Sequence, residues 1–162
     1  MKLLSRDKDG LAFYLPKREK SLLLTVLNRY PLVPARYQQL TKAATASGGD
    51  PNEALLEESL AEHRRSNRER LNAWVRTGTH WQPAGEGWQL RLDHSEIEWL
   101  LQLLNDIRVG SWILLGSPAK DLWNLALNQS TAPLAWTMET AGWFEAGLLE
   151  ALSTGGTAGS GN

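Results

Sequence analysis

Residues 93–115 constrain the fold more than any other stretch. They open on Asp93-His94-Ser95-Glu96, a capping box in which the Asp and the Glu each accept a hydrogen bond from the other's backbone N–H. Ile97, Leu100, Leu101, Leu104, Ser111 and Leu115 then recur at helical spacing along one face. Trp99, Leu103, Ile107, Trp112 and Ile113 carry apolar surface around much of the remaining circumference. A helix apolar on most sides belongs at the centre of a domain, with neighbours on several flanks. The spacing thus predicts a central helix over 94–115. Arg108 falls in the middle of its apolar stripe. A guanidinium inside such a layer is costly unless it is paired and hydrogen-bonded. Arg108 therefore either pairs inside the domain and fixes the register, or faces a pocket or interface and binds an anion. Asn105 and Asp106 are adjacent in sequence but point elsewhere, so the three form no single cluster.

The other elements arrange themselves around that helix. Asp9-Gly10 between two short apolar-rich runs, 2–6 and 11–15, signals a hairpin, because glycine accepts the positive φ of a tight turn. A helix reads over 17–29, with Leu22, Leu23, Val26 and Leu27 on one face. Pro31 and Pro34 break the chain, and 35–42 can form a short helix. Residues 43–49 are linker-like, and 78–87 read as a loop. Asp50-Pro51-Asn52-Glu53 opens a helix running to about residue 76. Its stripe of Leu56, Leu60, His63, Asn67, Leu71 and Trp74 is polar in the middle. Ser66-Asn67-Arg68-Glu69 is a second capping pattern, so one long helix or two with a break near 65 both fit. Trp88, Leu90 and Leu92 alternate with polar residues, as in a half-buried strand. Two further helices read over 118–128 and 131–152. The small residues from Ser153 onward form a tail. The expected fold is α+β: a predominantly helical bundle with a small antiparallel sheet, made of the N-terminal hairpin plus the strand near 87–92. Residues 1–152 make a single domain, and 153–162 a flexible C-terminal tail.

Composition closes several branches of chemistry. The chain of 162 residues has no Cys, which removes disulfides, thiolate nucleophiles, iron–sulfur clusters and Cys-based zinc sites. His63, His80 and His94 form no close ligand pair. No serine sits in a nucleophile elbow, and no glycine loop is placed to cradle phosphate. The sequence points to no catalytic constellation, no metal and no cofactor. No signal-peptide or membrane-spanning run is evident, and the expected location is the cytoplasm.

Binding is better represented. The chain carries eight Trp, about four times an average composition, all from Trp74 onward. Residues 1–42 hold nine basic and three acidic side chains, a net of +6, and the remainder eight and fifteen, a net of −7. That split either draws two parts of one domain together or offers a basic surface to an acidic partner. Arg64, Arg65, Arg68 and Arg70 are candidate phosphate contacts, although helix geometry spreads them and Glu62 and Glu69 reduce the local field. On the last helix Leu134, Met138, Ala141, Leu148, Leu149 and Leu152 share a broad face. Trp136 and Trp143, seven apart, lie nearly opposite. That second side is either buried between elements or a surface for a partner.

The order of motifs resembles a known family. Trp88-Gln89-Leu90-Arg91-Leu92, then Glu96, Trp99-Leu100 and Leu104-Asn105-Asp106-Ile107-Arg108, is similar to the signature of the bacterial domain-of-unknown-function family numbered two thousand and seventeen. That signature is a short strand, a polar cap, a Trp-containing helix and Leu-Asn-Asp-Val-Arg, with Ile107 here in place of the Val. The hairpin with Asp9-Gly10 and Phe13, then Glu19 and Leu23, is similar too, as are Trp143 and Leu148-Leu149-Glu150-Ala151-Leu152. The acidic middle of many members is short here, around 48–51. Actinobacterial members are typically encoded beside the adaptor protein of the Clp protease. The resemblance thus implies a link to regulated proteolysis and names no catalytic residue.

The expectation is a non-catalytic, protein-interacting regulatory or accessory module. Its candidate interaction or anion site is Arg108, Trp136 and Trp143, and its partner is another protein or a second copy. The alternative is a nucleic-acid-binding module using the basic N-terminal segment and the run from Arg64 to Arg70.

Overall fold

The computed structural model describes residues 1–32, 51–116 and 128–154. The expected helices at 35–42 and 118–128, the 43–49 linker and the tail beyond Thr154 lie outside the described residues, apart from Asn128, which is not helical. Strands β1 (Lys2–Asp7) and β2 (Gly10–Pro16) form the expected hairpin. A Cβ at Gly10 would stand 2.1 Å from the Leu92 carbonyl oxygen, so close strand approach as well as the turn demands glycine there.

The expected loop at 78–87 is partly a strand. β3 (Trp81–Ala84) pairs with β4 (Gly87–Leu92) in a second hairpin, and the antiparallel sheet runs β1-β2-β4-β3. Pro83 within β3 cannot donate to a ladder. β3 is an edge, where one side of the strand needs no partner, and Gly85 turns the chain at φ 56.

Strand register brings Leu11 opposite Leu92, Phe13 opposite Leu90, Leu15 opposite Trp88, and Trp81 opposite Leu90. All of these share one face of the pleat, and the helices pack there. Helix α1 (Lys17–Leu27) buries Leu23, Val26 and Leu27. Helix α2 (Pro51–Thr77) is continuous, which settles the one-or-two question. Its Leu55 and Leu56 are exposed, while Asn67, Leu71 and Trp74 are buried. α2 thus docks by its second half.

Helix α3 (His94–Leu114) carries the capping box expected at Asp93 and Glu96. It buries Ile97, Trp99, Leu100, Leu103, Leu104, Ile107, Gly110 and Ser111. That arc is centred near Ile107, roughly 70° round from the expected stripe at ~100° per residue. Arg108 consequently falls at its edge, and the expectation of a guanidinium inside the apolar layer is corrected: half of its side chain is exposed. Helix α4 (Ala132–Ser153) lies along α3 and buries Thr137, Ala141, Phe144, Leu148 and Ala151. The fold is α+β, four helices beside a four-stranded antiparallel sheet among the described residues. No helix among them is long and apolar enough to cross a membrane.

Candidate functional site

The four arginines of the 64–70 run on α2 are mostly turned to internal tasks. Arg68 donates from Nη1 to the carbonyl oxygens of Asn28 (3.2 Å) and Tyr30 (2.6 Å). It thereby caps the C-terminal end of α1, whose last turn contains no basic residue of its own. Arg70 lies over the Trp99 ring, 4.3 Å from its centroid. Arg65 pairs with Glu62 one turn away on the surface. One nitrogen of Arg64, Nη1, is buried. The run therefore presents no common stripe to a phosphate backbone.

Arg64 belongs instead to a polar cluster where α1, α2 and α3 meet. The indole N–H of Trp99 donates to Asn67 Oδ1 at 3.2 Å. Asn67 Nδ2 donates to the Tyr30 hydroxyl at 3.5 Å and stands 3.1 Å from His63 Nε2. Burial pushes the Tyr30 hydroxyl above its ordinary 10.0, and the Asp106 charge adds to this. Asp106 keeps contact with solvent. Even so, partial burial raises its carboxyl above the ordinary 3.8, against the opposing pull of Arg64 and His63. Perturbed groups of this kind mark candidate sites. The sequence signal for the cluster was the polar middle of the α2 stripe at His63 and Asn67; the use of Asn67 as the acceptor for Trp99 was not legible.

Two other contacts involve tryptophans. Lys20 Nζ sits 3.2 Å from the Trp88 ring centroid and 4.6 Å from that of Trp81, and desolvation lowers its pKa below 10.5. Trp74 stacks on His80 at 5.0 Å, and His80 Nδ1 stands 3.1 Å from Glu96 Oε1.

Arg108 pairs with Glu145 of α4 at 2.6 Å. Glu145 retains only 15% of its side-chain exposure, so the arginine neutralises a largely covered carboxylate. A Cβ at Gly142 would stand 3.5 Å from the Arg108 Cδ, an ordinary contact, so the stem passes beside α4 there. Arg108 thus tethers the α3–α4 pair rather than standing free for an anion.

Trp136 and Trp143 stand apart from all of this. They are 38% and 49% exposed, although Trp143 also meets the Phe144 ring edge-on at 4.8 Å. Glu139 between them, and Ala146 and Glu150 beyond, are exposed as well. The structure does not bring Arg108 together with the two tryptophans: it contacts α4 at Gly142 and Glu145, on the other side of the helix from Trp143. Among the described residues, no group of three or more His, Asp or Glu could hold a metal ion. Comparison with protein-family models, curated proteins and solved structures finds no match.

Proposed function

We propose that this chain is a non-catalytic, protein-interacting accessory module of the bacterial cytoplasm, with the outer side of α4 as its docking face. One observation carries the reading: Trp136 and Trp143 remain 38% and 49% exposed together on one side of α4, in a protein that buries Trp74, Trp81 and Trp99 in its core and otherwise exposes Trp112 of α3 among the described residues. Tryptophan is enriched among the residues that dominate binding energy at protein interfaces. The order of motifs that resembles the bacterial family described above is what suggests a link to Clp-type proteolysis. The test is affinity capture from bacterial lysate with the intact chain, its Trp136→Ser/Trp143→Ser variant and its Arg65→Ala variant. The expected result is a stoichiometric partner retained by the wild type and Arg65→Ala but lost from the double variant, with unchanged circular dichroism. An identical set of proteins on all three would overturn the reading. Capture of nucleic acid abolished by Arg65→Ala would favour the nucleic-acid alternative.

A further inference from the structure

The exposed side of α4 has a regular pattern. Trp136, Glu139, Trp143, Ala146 and Glu150 follow one another at intervals of three, four, three and four residues, and all five are exposed. This spacing keeps the five on one strip of the helix, and the strip extends for roughly 21 Å at ~1.5 Å per residue. The row is aromatic and acidic, and α4 contains no Lys or Arg. Glu139 is one turn from each tryptophan, near enough on a helix for a single cation to meet the ring and the carboxylate together.

The rest of the molecule shows what such rings accept. Lys20 of α1 lies over Trp88 and Trp81, and Arg70 of α2 lies over Trp99. Each time, a Trp face receives a cation from another element. Among the described residues no cation lies over Trp136 or Trp143, and neither Glu139 nor Glu150 has an ion-pair partner. The sheet edges are less inviting to a partner. β1 carries an irregularity between Leu3 and Ser5 together with Lys2 and Arg6, and β3 carries Pro83; all are devices that discourage strand addition.

We infer that the outer side of α4 docks a basic amphipathic helix of a partner protein, with Lys or Arg side chains laid on Trp136 and Trp143 and between Glu139 and Glu150. This rests on the docking reading above and names the chemistry of the partner. The Trp faces supply apolar area and a quadrupole for the cation. The carboxylates supply long-range attraction and select against acidic partners.

The test is a titration of the intact chain with a labelled helix-forming peptide of about 18 residues, enough for five turns. Lys is placed at two positions seven apart on its apolar flank, and a second peptide replaces those Lys by Gln. The Lys peptide is expected to bind about 10-fold more tightly than the Gln peptide at low salt, with two cation contacts contributing, and the difference should shrink as salt rises. Glu139→Gln/Glu150→Gln should erase most of that difference, and Trp136→Ser/Trp143→Ser should weaken both peptides. Equal binding of the two peptides, weakened by the Trp variant, would overturn the cationic inference and leave the docking face standing. Binding untouched by the Trp variant would overturn both, as would failure of either peptide to bind at about 1 mM when lysate capture also ignores that variant. Self-association in sedimentation that the Trp variant abolishes would make the occupant a second copy and overturn the partner helix.

Discussion

Asn67 illustrates how a single side chain can organise a junction. It is buried, accepts the Trp99 N–H, donates to Tyr30 and stands beside His63. Asn67→Ala should leave the Trp99 donor unpaired and lower the unfolding free energy by about 2 kcal/mol. Urea denaturation measures this, and Trp99→Phe in the same background should cost less than it does alone. Asp106, in the same cluster, makes a prediction about pH. Its folded-state pKa lies above the ordinary 3.8, so the folded state binds more protons in that window than the unfolded chain. Stability is therefore lost as pH rises from about 3.8 through the folded-state value, and the penalty persists at neutral pH. Asp106→Asn should raise the urea midpoint at pH 7, with a gain that fades as pH falls toward 3.8. A constant gain across that range would remove the electrostatic explanation.

Among the elements, α2 depends most on long side chains. Its N-terminal half exposes Leu55 and Leu56, and only from Asn67 onward does it reach the core through Leu71 and Trp74. Arg68 adds two hydrogen bonds to carbonyls beyond the end of α1. Hydrogen bonds from a charged donor are worth more than neutral ones. Arg68→Ala should therefore lower stability by about 2 kcal/mol, whereas Arg65→Ala, three residues away on the exposed face, should stay within about 0.5 kcal/mol. Thermal denaturation of the two variants in parallel checks this. Equal effects would mean that Arg68 does not serve as the cap.

At the scale of the molecule, the helices among the described residues stack on one face of a small sheet. On the other face Gln82 and Arg91 are exposed and Tyr14 and Gln89 half-buried, with Arg91 paired to Asp7 across the sheet. The basic and acidic parts of the sequence meet inside this arrangement. Lys20 lies over Trp81 and Trp88, Arg6 reaches the Ala151 carbonyl oxygen, and Arg68 caps α1. These contacts join the two parts of the sequence through indole rings and carbonyl oxygens rather than through opposite charges. The side of α4 bearing Trp136, Glu139, Trp143 and Glu150 takes no part in that exchange. An aromatic, acidic row left without cations is where complementarity has most to offer a partner.

Local signals in the sequence determined much of the architecture. The Asp9-Gly10 turn, the Asp93–Glu96 cap, the alternation at Trp88, Leu90 and Leu92, and the 3.6-residue periodicity of α3 and α4 act over a few residues, so they are readable without the fold. β3 was hidden because Pro83 is forbidden only in a strand bonded on both sides, and edge position is a property of the assembled sheet. Arg108 was misplaced because its stripe fixed a helix face but not which neighbours would cover it. Packing of α3 in the fold set the buried arc and left Arg108 at its edge over Glu145. The sequence offered Trp136 and Trp143 both a core and a surface. Tertiary packing decided for the surface, because Thr137, Ala141, Phe144, Leu148 and Ala151 already fill the space between α4 and the core.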